Sequence, residues 1–173
     1  METPSDSHKR HTLALLVDNR PGVLARVATL VSGRGYNIDS LSVAETMDPA
    51  ISLITLIVSG SPRIVNQIVK QLRKLINVIK VTDLSDVDYV ERQLVIVRVK
   101  AVSENRDEIA RLCDIFRGKI VDVSSKAYTL EITGGEAKIK AALSLLAEFG
   151  IEEQVSTGLT AIARSSSVKK LTL

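Results

Sequence analysis

The sequence predicts an α+β protein built from two successive ferredoxin-like βαββαβ units, on three observations. A period-two run of Leu13, Leu15 and Val17 passes directly into a helical pattern of Val23, Leu24, Val27, Leu30 and Val31. The order strand-helix-strand-strand-helix-strand then occurs twice along the chain, the order of a ferredoxin-like unit. Between the two halves lies a polar stretch, residues 84–89, carrying Ser85, Asp86 and Asp88. In each unit two helices are expected to cover one face of a four-stranded antiparallel sheet and leave the other for a partner.

The first unit, residues 11–84, follows a polar tail of residues 1–10. Its expected elements are a strand at 12–17, a helix at 22–32 and strands at 36–46 and 51–58, the last two joined by an Asp48-Pro49 turn. Ser61 is the expected cap of the next helix, with Pro62 at its first position and Ile64, Val65, Ile68, Leu72, Leu75 and Ile76 facing inward. A strand at 78–81 closes the unit. The second unit, residues 85–164, is expected to run through a strand at 93–99, a helix at 104–117 capped by Ser103, strands at 119–123 and 128–133, and a helix at 136–149 ended by Gly150. An extended segment at 155–163 completes it, and residues 165–173 form a tail. Units of about 80 residues bury only about 60% of their unfolded surface. With Val, Ile and Leu alternating this heavily, dimers or larger assemblies are expected.

Composition excludes several classes. Over 173 residues, 45% are hydrophobic and 25% charged, and the net charge is +3 with a pI near 9.1. The basic residues are interspersed with acidic ones, not gathered into a nucleic-acid footprint. No apolar run approaches the roughly 20 residues that cross a bilayer, and the polar N-terminal segment lacks the apolar stretch of a secretory signal; a cytoplasmic protein is expected. Cys113 falls with Ile109, Leu112 and Phe116 on one helix face, which reads as a buried structural thiol. His8 and His11 are three apart but lack a third ligand, so no metal is expected. Two tail-proximal histidines and no clustered carboxylate pair give no general acid–base constellation, so catalytic residues are not expected either.

The chemistry concentrates in two short segments. Asp18-Asn19-Arg20-Pro21-Gly22 turns the chain from strand into helix, and Gly22 leaves N–H groups open at the helix start, where a carboxylate is attracted. Arg34-Gly35-Tyr36-Asn37-Ile38 then opens the second strand and offers a side-chain amide to an ammonium group. Together they outline an amino-acid sensor. Taken singly, Gly22 reads as a turn glycine and Asn37 as a local cap.

The chain also resembles a known family through four stretches. They are Arg34-Gly35-Tyr36-Asn37-Ile38 with Ser40-Leu41; Gln71-Leu72-Arg73-Lys74-Leu75; Tyr89-Val90-Glu91-Arg92 with Gln93-Leu94; and Ile115-Phe116-Arg117-Gly118-Lys119-Ile120-Val121-Asp122-Val123. The first half resembles an ACT domain, and the whole, over residues 10–164, resembles the small regulatory subunits of acetohydroxyacid (acetolactate) synthase. The resemblance implies a non-catalytic subunit that activates a thiamine-diphosphate-dependent catalytic subunit and confers valine inhibition on it. It implies a homodimer through the ACT domains, with valine at the seam between Asn19, Gly22, Val23 and Leu24 of one chain and Asn37 and Ile38 of its partner. It implies no cofactor of its own: thiamine diphosphate, Mg and FAD would belong to the catalytic subunit. The second domain is implied to contribute to activation, with Glu91, Arg92 and Arg117 at an interface. Arg20-Pro21 departs from the family pattern, stiffening the loop and placing a positive charge beside the carboxylate site.

Three other classes compete with this resemblance on the residues. An RNA-recognition module shares this element order but stacks bases on strand aromatics, and the strands at 12–17 and 51–58 contain none. An enzyme lacks its constellation. A free-standing ACT-type sensor acting on another enzyme or a transcription factor is the alternative, and the second-half motifs favour the synthase subunit over it.

Overall fold

The computed structural model describes residues 9–33 and 35–167; His8 and most of both expected tails lie outside them. The chain divides into two compact units. The first comprises the described residues up to Val90 together with those from Ala161 onward, and the second is Glu91–Thr160.

In the first unit, β1 (Lys9–Asp18), α1 (Val23–Ser32), β2 (Ile38–Glu45), β3 (Ile51–Gly60), α2 (Pro62–Leu72) and β4 (Val78–Asp83) follow in order. The antiparallel sheet has the order β2-β3-β1-β4. Alternation decides what is buried: Leu13, Leu15 and Val17 of β1 meet Leu56, Ile54 and Ser52 of β3 in register, and α1 and α2 close over them with Val27, Val31, Ile68 and Leu72. Ser61 occupies the cap position of α2 but its side chain makes no capping bond; its carbonyl accepts from Ile64 and Val65 instead. Ile76, expected on the inner face of α2, is 93% exposed. The helix ends at Leu72, so the 3.6-residue period no longer carries Ile76 toward the sheet.

The face of this sheet opposite the helices is not open throughout. Thr12, Thr55 and Ile57 point away from the helices and are nonetheless buried. The polar stretch between the two halves supplies part of the cover. Thr12 N–H donates to Ser85 Oγ (3.0 Å), the Tyr89 and Thr12 hydroxyls lie 3.4 Å apart, and Asp83 Oδ1 accepts from Ser85 N–H (2.9 Å) to bend the chain back. Leu84 is buried in this return. Short polar side chains bonding the backbone make this an ordered turn.

The second unit repeats the topology. It comprises β5 (Tyr89–Lys100), α3 (Arg106–Ile115), β6 (Lys119–Val123), β7 (Ala127–Gly134), α4 (Glu136–Leu146) with a 3-10 turn at Ala147–Phe149, and β8 (Ile151–Ser156), in sheet order β6-β7-β5-β8. The bulge is repeated too: the first strand slips against the last between Leu16 and Val17 in one unit and between Arg98 and Val99 in the other. Two expectations are corrected. The segment at 155–163 is not one extended piece but the end of β8 and a separate β9 (Thr160–Ala163), which pairs with β5. Gly158 breaks them apart with φ +78°. Ser103 does not cap α3: Asn105 holds the cap position, and its amide donates to Lys100 O at 3.4 Å.

Candidate functional site

The β1–α1 loop forms as its residues dictate. Arg20 N–H donates to Asp18 O (2.9 Å) and Val23 N–H to Arg20 O (3.3 Å), so the chain reverses within four residues. Pro21 fixes one backbone angle, and Gly22 completes the turn at φ +84°, a left-handed conformation that costs side-chain-bearing residues about 1–2 kcal/mol. The first turn of α1 holds no acidic residue. Among the described residues the N–H groups of Gly22, Leu24 and Ala25 meet no backbone or side-chain acceptor, so they present a positive helix terminus to solvent.

Asn19 is held from two sides. Its Nδ2 donates to Glu45 Oε1 (3.0 Å) at the end of β2 and to Pro49 O (2.9 Å) in the β2–β3 hairpin, while its backbone N–H reaches Ala50 O (2.8 Å). This uses the amide's donors, and among the described residues its carbonyl oxygen meets no donor, so it remains an acceptor of the kind an ammonium group needs. Val23 is buried beneath the turn and Leu24 is 37% exposed, an apolar wall beside the open N–H groups. Glu45, Pro49 and Ala50 are the residues sequence reasoning missed. They come from 26 or more positions away, and no local pattern marks them.

The structure separates the two predicted halves of the site within one chain. Asn19 follows Asp18, which pairs with Ile51, whereas Ile38 pairs with Val58 seven residues further along β3. At about 3.3 Å per residue the two lie roughly 23 Å apart, at opposite ends of the sheet. Asn37 is exposed there, its Nδ2 donating to Asp39 Oδ1 (3.1 Å), and Ile38 is half-buried against the core. So Asn19, Gly22, Val23 and Leu24 come together, and Asn37 and Ile38 do not join them.

Other candidates resolve into structural roles. His11 is buried with Nδ1 3.3 Å from Asp83 Oδ2, and no group of three or more potential metal ligands occurs among the described residues. Cys113 is buried, and burial, with the Asp114 charge adding to it, pushes its thiol up from the ordinary value. Glu91 caps α4, its Oε1 accepting from Glu136 N–H at 3.0 Å. No helix among the described residues is long and apolar enough to cross a membrane.

Two ferredoxin-like units in tandem, the first with an open glycine-led helix terminus, define an ACT-type protein. The family comparisons agree. A model for the AHAS small subunit-like ACT domain matches residues 13–80, and one for the small subunit of acetolactate synthase matches residues 92–165. The chain is 49% identical to the acetolactate synthase small subunit of Aquifex aeolicus over 94% of its own length and 85% of that protein's. It is 45% identical to that of Haemophilus influenzae over 90% and 96%. The crystal structure of the Thermotoga maritima small subunit superposes with a TM-score of 0.81 at 40% identity, over 90% of this chain and 98% of that one. The chain belongs to the acetolactate synthase small-subunit family.

Proposed function

We propose that this chain is a regulatory, non-catalytic subunit. In this reading it activates a thiamine-diphosphate-dependent acetolactate synthase catalytic subunit and transmits feedback inhibition by a branched-chain amino acid, chiefly valine. The effector binds between two copies of the first unit, in the cytoplasm, within branched-chain amino-acid biosynthesis. The observation that carries the reading is the separation of the two half-sites together with the edge position of β2. A strand paired on one side only accepts a second strand. If two β2 strands pair antiparallel about a two-fold axis, the Asn37–Ile38 end of each arrives beside the partner's Glu45 end, which already holds Asn19. One isologous contact then completes two identical sites.

The chemistry of the assembled site matches a zwitterion. Open N–H groups of Gly22, Leu24 and Ala25 receive the carboxylate, amide oxygens of Asn19 and Asn37 receive the ammonium, and Leu24 and Ile38 enclose a small branched side chain. The test has two arms. Sedimentation at micromolar concentration should give at least a dimer. Catalytic-subunit activity should rise on adding this chain and then fall on titration with valine, leucine or isoleucine. A monomer, with or without valine, removes the seam; absence of activation removes the regulatory reading.

A further inference from the structure

The loop end of the first unit carries a second feature, on the flank of α1 away from β2. A cleft of about 290 Å³ opens between the first turn of α1 and the connection leading into β4. Val23, Leu75 and Val78 line it as apolar wall backed by the core. Arg26 and Lys74 stand at its rim, and Ile76 is 93% exposed beside it. Arg26 is oriented by a contact from Nη1 to Asn77 Oδ1 (3.1 Å), and Asn77 Nδ2 donates in turn to Asp18 Oδ2 (2.9 Å).

The charged residues that line the cleft, Arg26 and Lys74, are of one sign. The Lys74 ammonium and the Arg20 guanidinium meet no carboxylate and no acceptor among the described residues. The acids elsewhere at this end accept from neutral donors and keep their charge, Asp18 from Asn77, Glu45 from Asn19, and Asp48 Oδ1 from Ala50 N–H, but none of them lines the cleft. Two cations, Arg26 and Lys74, lining a small apolar notch beside a protruding isoleucine complement an acidic protein segment that supplies one apolar side chain. The cleft volume sits at the lower limit of small-molecule sites, and a small ligand would leave Ile76 uncovered.

We propose that this cleft is the docking notch for an acidic segment of the catalytic subunit. The proposal rests on the regulatory reading above and adds the surface through which it acts. Because β4 is the edge opposite β2, a β2 seam leaves the notch accessible. Val23, which directly follows Gly22, forms one wall. An effector that fixes the first turn of α1 therefore fixes that wall as well, linking the two sites through a single helical turn.

The experiment titrates the full chain into the catalytic subunit and reads the concentration giving half-maximal activation. Lys74→Glu combined with Ile76→Asp is expected to raise it at least about tenfold and to flatten its salt dependence. Ile76→Ser alone, which keeps the charge, is expected to raise it about threefold. Arg63→Glu, which reverses a charge as Lys74→Glu does but on an exposed residue at the far end of α2, should leave it within about twofold. All three side chains are exposed, so unchanged thermal unfolding is expected. A double variant that activates at wild-type concentrations overturns the notch while leaving the regulatory reading intact. A wild-type chain that neither binds nor activates the catalytic subunit overturns that reading, and the notch with it.

Discussion

The two units share strand order, helix placement and a bulge at the same place, yet their first strand-to-helix loops differ in kind. In the first unit the loop is Asn19–Gly22, ended by a left-handed glycine, and α1 begins without an acidic residue. In the second unit the corresponding loop is residues 101–105, without glycine, and Asp107 and Glu108 occupy the first turn of α3. Those acids neutralise the helix terminus internally. Arg106 adds to the closure, bonding Ala101 O (3.2 Å), Ser124 O (3.1 Å) and Ser125 O (2.7 Å) and lying over the Tyr128 ring. One fold thus carries a helix start without acidic residues in one copy and an acidic one in the other. The sheets differ as well: Ile96 and Val155 stand 42% and 59% exposed on the outer face of the second, whereas Ile57 on the corresponding face of the first is buried.

The largest expected effect breaks the open loop. Gly22→Asp should abolish amino-acid inhibition, lowering effector affinity about a hundredfold or more through repulsion of the carboxylate. Space is not the cause, because a Cβ at Gly22 meets nothing within 4 Å. The left-handed backbone adds about 1–2 kcal/mol of strain. Gly22→Asn, which tolerates that conformation, should therefore keep most inhibition, as titration of the reconstituted enzyme will show. If both variants respond to valine as wild type does, the loop is not the site.

Next in size is a change confined to the second unit. A Cβ at Gly118 would sit 3.0 Å from Glu131 O, 3.1 Å from Cys113 Sγ and 3.1 Å from Ile132 Cγ1. Gly118→Ala should cost about 1–3 kcal/mol, visible in denaturant unfolding, while effector affinity stays unchanged. Loss of effector binding in that variant would mean the two units are not independent in function.

Removing the carboxylate that caps α4 tests the same comparison more gently. Glu91→Ala should lower stability by about 1 kcal/mol, and Glu91→Gln by less, since an amide oxygen still accepts from Glu136 N–H. The smallest effect concerns Arg117, held at φ +49°. Arg117→Gly should leave stability within about 1 kcal/mol of wild type or raise it, through relief of the left-handed strain. A drop larger than that would show that the arginine side chain itself contributes binding energy to the fold.

Cys113 offers a pH readout. Its thiol is pushed up, mainly by burial, so the folded chain binds its proton more tightly than the unfolded one. The associated stability is fully present below the unfolded thiol's titration and is lost as pH rises through the folded one's. Labelling by a thiol reagent at neutral pH should accordingly be slow until the chain is unfolded. Rapid native labelling would contradict the burial of this helix face.

Local pattern alone determined a good deal of this protein. Alternation along residues 12–17 and the 3.6-residue period after Gly22 specify β1 and α1, because a strand or helix buries one face and the side-chain period records it. The turn chemistry of Asn19–Gly22 is equally local, so the strand-to-helix turn and its left-handed glycine could be read from the chain. Where the helical period was extended past the end of α2 it failed, placing Ile76 inside, and reading residues 155–163 as one strand missed the break at Gly158. Only tertiary structure brought Glu45 and Pro49 to Asn19, turned residues 84–89 back onto Thr12, and set Asn37 at the far end of the sheet from Gly22. Those are consequences of strand order and register, which depend on pairings between residues tens of positions apart and leave no periodic trace in the sequence.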